Sequence, residues 1–171
     1  MNSIESIFKP DSIQIFLLQN PEYAWLAVFA LAFLESMVIT GSIVPSIVLF
    51  SICVYLFDQQ ILALYLIAPI AMCGAHLGDL GGFVVGKYSG DKVLSLTFFQ
   101  KRTALINKAT SAADRFGPLA VVIGRFTPAI RAVMPFFLGL TRLELKRFYF
   151  ADLLACFAWG IALILMLKGV Q

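Results

Sequence analysis

The sequence predicts an all-α integral membrane protein. It reads as three to four spanning helices, two interrupted segments that dip into the membrane as re-entrant helical hairpins, and amphipathic helices on the surface. Three observations carry this. Of the 171 residues, 60% are hydrophobic and 13% charged, with a mean hydropathy of +0.89; a soluble domain is nearer half apolar and a quarter charged. The apolar tracts have membrane length, about 20 residues per span. Two of them are broken by proline, glycine and charge, and these recur in the two halves of the chain, each followed by a span. The length suits one compact membrane domain over residues 1–171.

Residues 1–21 form the first element. DSIQIFLLQ brings Ile15, Phe16 and Leu18 near one another on a helix, with polar residues opposite. The piece is too short to span and is expected on the membrane surface, ended by Asn20-Pro21. With Glu5 and Asp11 and no basic leader, this N-terminus does not read as a cleaved signal peptide.

Residues 22–57 are the first hairpin plus a span. The apolar run from Tyr23 to Phe57 is too long for one crossing and too short for two with a loop. Its interior, ESMVITGSIVPSIV, holds Glu35, Gly41, Ser42 and Pro45. Proline breaks a helix, and irregular backbone at membrane depth survives only under a cover of protein or water. A half-length helix that turns back is expected, then a span from about Ile43 to Phe57. Residues 61–86 read as one span with Gly74, Gly78, Gly82 and Gly86 on a single stripe. Small residues at that spacing let another helix approach to backbone contact.

Residues 87–116 carry Lys87, Lys92, Lys101, Arg102, Lys108 and Arg115 and read as a cytoplasmic amphipathic region, ended by Gly117-Pro118. Residues 117–140 are the second hairpin, with Arg125, Pro128, Arg131 and Pro135. A short basic loop follows, with Arg142, Lys146 and Arg147. A full crossing at 117–140 would put the two basic regions on opposite sides of the membrane. A segment that returns keeps both inside. It also avoids two arginines at the centre of a span, each costing about 2.5–3.5 kcal/mol. Residues 148–168 are the final span.

Several classes are excluded. The net charge of +3 is scattered over short loops, so no nucleic-acid face forms. Cys53, Cys73 and Cys156 lie far apart in apolar tracts and read as small buried hydrophobes. His76 and Asp79 fall at i and i+3 in GAHLGD, but with one histidine in the chain no metal is expected, and no cofactor. No Ser-His-Asp set, P-loop or dinucleotide fingerprint is visible, so the reading is of a non-enzyme.

The chemistry sits on charges inside apolar tracts. Arg125 and Arg131 could anchor their segment at the interface, or pair with Glu35 or Asp79 as structural glue. As a functional site they would hold an anion, because the planar guanidinium fork matches phosphate. They are six residues apart, on different faces of an unbroken helix; Pro128 between them would let both turn inward. Glu35 could pair with an arginine or carry a proton. Asp79 could cap a helix or pair with an arginine. Interrupted segments at matching positions of two halves point to a transport site near the midplane.

Three blocks carry a family resemblance: FLESMVITGSIVPS (Phe33 to Ser46), GAHLGDLGGFVVGKYSG (Gly74 to Gly90), and the block from Phe116 to Gly160 with its GRFTPAIR core and later Trp159. The chain resembles the DedA family of bacterial membrane proteins, related to the VTT-domain lipid scramblases. The resemblance implies two facing re-entrant hairpins in an inverted repeat. It also implies a multi-pass protein of the bacterial inner membrane that moves undecaprenyl phosphate to the cytoplasmic face, with ties to the proton-motive force. Membrane lipid, protons and a second copy of the chain are the implied partners. By motif the substrate-binding residues are Arg125, Arg131 and Glu35, with Asp79, Pro45, Pro128 and Gly124 supporting. Two departures stand out. Ile47 follows Pro45-Ser46 where many members carry an acid, which bears on proton coupling. The chain also ends soon after the Trp159 helix, so a minimal variant or an oligomer is expected.

Overall fold

The computed structural model describes residues 10–38, 40–42, 46–94, 103–127, 130–141 and 143–170. They form α1 (Pro10–Gln19), α2 (Ala24–Ser36), α3 (Ser46–Asp58), α4 (Leu64–Leu94), α5 (Thr103–Phe116), α6 (Leu119–Arg125), α7 (Met134–Leu140) and α8 (Leu145–Gly169). Short 3-10 turns lie at Pro21–Tyr23 and Thr40–Ser42. Among the described residues there is no strand, in line with the all-α expectation.

Among the described residues, two helices are long and apolar enough to cross a membrane: α4 over Leu64–Tyr88 and α8 over Leu145–Gly169, 25 residues each. At 1.5 Å per residue each covers roughly 37 Å, more than the ~30 Å hydrocarbon core. A third crossing exists only if α1 and the segment Pro21–Ser36, bent by 115° to each other, act as one. Among the described residues there are thus two to three candidate spans, against an expected three to four. The difference lies in α3. After the Thr40–Ser42 turn, the described part of the expected span is α3, Ser46–Asp58, 13 residues. That is roughly 20 Å, short of a crossing. The Gly-rich helix, by contrast, continues past residue 86 to Leu94, into the region expected to be surface. Lys146 and Arg147, expected in a loop, form the first turn of α8.

The second interrupted tract is two seven-residue helices, α6 and α7, either side of a turn. Each is roughly 10 Å long, so neither crosses alone. Gly117 stops α5 in the left-handed conformation, φ +54°, and its N–H bonds the Ala113 carbonyl at 2.8 Å. This is the helix-ending role that glycine fills most readily.

The glycine stripe works as a double seat. Gly74 lies against Phe29 and Ala32, and Gly78 against Phe33 and Ser36, so the first pair receives α2. Gly82 faces Pro135, and Gly86 meets the Phe136 carbonyl, so the second pair receives α7. Both partners run parallel to α4, because residue numbers rise together along each contact. Helix α8 runs antiparallel to α4. Phe83 stacks on Phe148 with centroids 4.2 Å apart, His76 meets Asp152, and Met72 lies over Gly160.

A prediction follows from these seats. A Cβ at position 86 would meet the backbone carbonyl of Phe136, which cannot rotate away, whereas one at position 82 meets Pro135 at an ordinary 3.5 Å. Gly86→Ala is expected to destabilise by about 1–3 kcal/mol by overpacking, with Gly82→Ala close to neutral. Thermal unfolding midpoints of the two variants in detergent check this.

Two apolar clusters fill the interior. One joins α1, α2, α3, the first half of α4 and the end of α8, through residues such as Val28, Ile52, Ile67 and Leu163. The other joins α5, α6, α7, the second half of α4 and the start of α8, through Phe83, Phe136, Phe137 and Phe148. Between Ala75 and Phe83 on α4, and between Ala151 and Leu163 on α8, the chain passes from one cluster to the other. The buried polar residues collect at that seam.

Candidate functional site

Glu35, Ser36, His76, Asp79, Arg125 and Asp152 are all buried. Four elements bring them together. Glu35 and Ser36 end α2. His76 and Asp79 sit one turn apart on α4. Arg125 closes α6, and Asp152 lies near the start of α8. Arg131 comes from the turn between α6 and α7.

Two ion-pair systems result. Arg125 donates from Nη1 to Asp79 Oδ2 and reaches Asp152 Oδ1 at 3.4 Å. Asp152 Oδ2 in turn faces His76 Nδ1 at 2.6 Å, and the Cys156 thiol donates to it at 3.6 Å. Arg131 donates from Nη1 to Glu35 Oε1 at 2.7 Å and to Ser46 Oγ at 3.4 Å. The ion pairing weighed from the sequence is thus present, and it assigns partners: Arg125 to Asp79, Arg131 to Glu35.

These pairs leave the arginines half used. Among the described residues, Nε and Nη2 of both Arg125 and Arg131 are buried with no hydrogen-bond partner, as are Glu35 Oε2 and His76 Nε2. A buried donor without a partner costs about 1–3 kcal/mol. Four such donors on two adjacent guanidiniums are the complement of an oxyanion with several acceptor oxygens. Both arginines border a small cavity of about 10 Å³ with Asp79 and Asp152, roughly the room one water-sized particle needs. Arg131 also borders a much larger open groove of about 460 Å³. Its other walls include Glu35, Ile47, Phe50, Phe126 and Trp159.

A profile of the VTT domain matches residues 44–168. The chain belongs to the VTT-domain family. The DedA resemblance read from the motifs is thereby established. Relatives include the uncharacterized membrane protein BU139 of Buchnera aphidicola, 28% identical over 144 residues, covering 84% of this chain and 56% of the relative. The inner membrane protein YabI of Escherichia coli is 26% identical over 147 residues, covering 86% and 58%. The inner membrane protein YghB of the same species is 27% identical over 136 residues, covering 79% and 62%. The chain spans less than two thirds of the length of these relatives. No solved structure matches it. With its apolar helices, this VTT-domain protein is a bacterial inner-membrane protein.

Of the residues singled out from the sequence, Glu35, Asp79, Arg125 and Arg131 converge. A Cβ at Gly124 would strike Met134, which borders the same small cavity as the two arginines. Pro45 and Pro128 lie outside the described residues. Asp152 and Trp159 are additional site members. Asp152 is an acid inside a span, the same signal that marks Glu35. Trp159 carries no such mark, because a lone tryptophan in an apolar helix looks like packing.

His76, Asp152 and Cys156 are all buried, with ligand atoms within 4.8 Å of one another, and are the metal-capable set among the described residues. The 2.6 Å contact between His76 and Asp152 is a direct hydrogen bond. Two ligands about 2.0 Å from one tetrahedral ion stand roughly 3.3 Å apart, so this pair would have to open to admit an ion. The edge of the His76 ring meets Tyr149 at 4.8 Å between centroids, which fixes the imidazole further.

Proposed function

We propose that this VTT-domain protein moves a phosphate-headed lipid across the bacterial inner membrane, with undecaprenyl phosphate as the cargo and the cytoplasmic face as its destination. The single observation that carries the reading is the continuity at Arg131. That side chain borders both the apolar groove of about 460 Å³ and the charged pocket of Arg125. A phosphate lipid needs both environments at once. Its chain is at home against Ile47, Leu49, Phe50, Leu163 and Met166. Its headgroup, with a charge of about −1.5 to −2, needs donors to leave water, and the unused guanidinium N–H groups supply them.

In this reading α2 with α3, and α6 with α7, are two re-entrant hairpins that face each other as an inverted repeat. The approach of Gly41 to Ala132, bend against bend, supports it. Phosphate occupies the meeting place and displaces the carboxylates that hold the arginines at rest. The step is transport, with no bond made or broken. Reconstitution in liposomes tests it: transbilayer movement of a polyprenyl phosphate should exceed that in empty liposomes. Folded protein that moves none would sink the reading.

The buried, unpartnered Oε2 of Glu35 favours a second reading, a proton-coupled antiporter acting through that carboxylate. Glu35→Gln separates the two. In a translocase it removes a competitor for Arg131, so phosphate binds several-fold more tightly and transport persists. In an antiporter it ends exchange and its pH dependence. Lipid-phosphate affinity and flux measured against pH on the same preparation decide between them.

A further inference from the structure

Trp159 occupies a position that ion pairing alone does not explain. Its ring lies 5.3 Å from the Arg131 guanidinium and 5.7 Å from that of Arg125. Both distances are within cation–π reach. The same side chain borders the apolar groove and packs against the cluster formed by α1 to α4 and the end of α8. One indole thus lies within cation–π reach of both cations and lines the groove. The backbone explains how. Asp152 and Trp159 are seven residues apart on α8, two turns along one face. The helix that sets Asp152 against Arg125 therefore sets Trp159 beside it.

We propose that Trp159 is the positioning and specificity-determining residue of the anion site. It gives both guanidiniums a shared platform and forms the wall against which the first atoms beyond the phosphate must lie. The inference rests on the translocase reading and names its substrate class more narrowly. A monophosphate carried directly on an apolar chain places C–H groups against the indole. A diacylglycerol phosphate places ester oxygens there, and burying those without partners is unfavourable. The platform also explains how two like charges stay close: the ring face attracts both, while Asp79 and Glu35 each neutralise one.

The chain has two tryptophans, Trp25 and Trp159. Trp25 is half exposed on α2. In Trp25→Phe protein, emission therefore reports Trp159 alone. Without any ligand, Arg131→Leu and Arg125→Lys should each change that emission. Farnesyl phosphate should change it saturably, and a short-chain phosphatidic acid should need at least about tenfold more. In direct binding of radiolabelled lipid, Trp159→Phe should hold affinity within a few fold, whereas Trp159→Leu should lose about tenfold in affinity and most of the discrimination while remaining folded at a lowered unfolding midpoint. Emission indifferent to both arginine changes, or Trp159→Leu protein that binds and discriminates like wild type, overturns the proposal. Wild-type affinity and discrimination in Trp159→Leu, with transport intact, remove the platform and leave the translocase. An emission response to arginine loss with no polyprenyl phosphate movement by wild type removes the translocase and leaves the platform.

Discussion

Arg125→Ala is expected to abolish lipid-phosphate movement and to lower the stability of the fold by about 3–5 kcal/mol. The guanidinium is the one positive charge that contacts both Asp79 and Asp152, and all three side chains are at most 5% exposed. Deleting it leaves two buried carboxylates facing each other with no directly paired guanidinium, and only the His76 contact on Asp152. This loss of one partner from a buried ion cluster costs far more than the intact pair contributes. Arg125→Lys keeps a charge but loses the planar fork, so it should recover most of the stability and little of the transport. Combining Arg125→Met with Asp79→Asn should be milder than Arg125→Ala, since it removes charge of both signs. Unfolding midpoints of the singles and the double in detergent form the cycle that isolates the coupling. Equal stability for wild type and Arg125→Ala would show that the buried charges are not held as paired.

How much of this was readable in the chain depends on the kind of information involved. Glu35, Asp79, Arg125 and Arg131 announce themselves because a charge in an apolar tract is rare and expensive wherever it ends up. Their partners do not. Arg131 meets a carboxylate 96 residues away, and Arg125 one 46 residues away. The residues themselves allowed either arginine to take either acid. Asp152 followed the same rule as Glu35: its following residues in DLLACFAW are all apolar, and it was legible by that rule. Glycines at intervals of four showed that a helix would approach α4. They could not show that the stripe is divided, with Gly74 and Gly78 seating α2 and Gly82 and Gly86 seating α7. That division depends on two segments distant in sequence finding the same helix. The reading of Ile43 to Phe57 as a full span rested on the apolar character of that tract. Hydropathy reports which residues tolerate lipid, not where a helix begins, and apolar residues continue on both sides of the Thr40–Ser42 turn.

Arg131 offers the means to separate holding the fold from moving the cargo. Arg131→Ala should lower lipid-phosphate flux about 10- to 100-fold, the loss of a charge-assisted hydrogen bond worth about 1.5–3 kcal/mol. Its stability effect should be smaller than that of Arg125→Ala for a geometric reason. Arg131 sits on a turn beside an open groove, with its side chain 13% exposed, and it neutralises one carboxylate rather than two. Glu35, left alone, is still buried. Adding Glu35→Gln to Arg131→Ala should therefore restore the unfolding midpoint without restoring flux. Arg131→Lys is the sharper test. A scaffold that needs only a charge near its lipid-facing groove would accept lysine. A translocase whose phosphate takes up the free Nε and Nη2 donors would not, because lysine is a point charge without the fork. Flux in liposomes, normalised to folded protein, should thus be low in Arg131→Ala, in Arg131→Lys and in the double variant, while the stabilities of the three differ. If flux instead follows stability across the set, Arg131 is structural, and Arg125 with Asp79 and Asp152 would have to carry the phosphate alone.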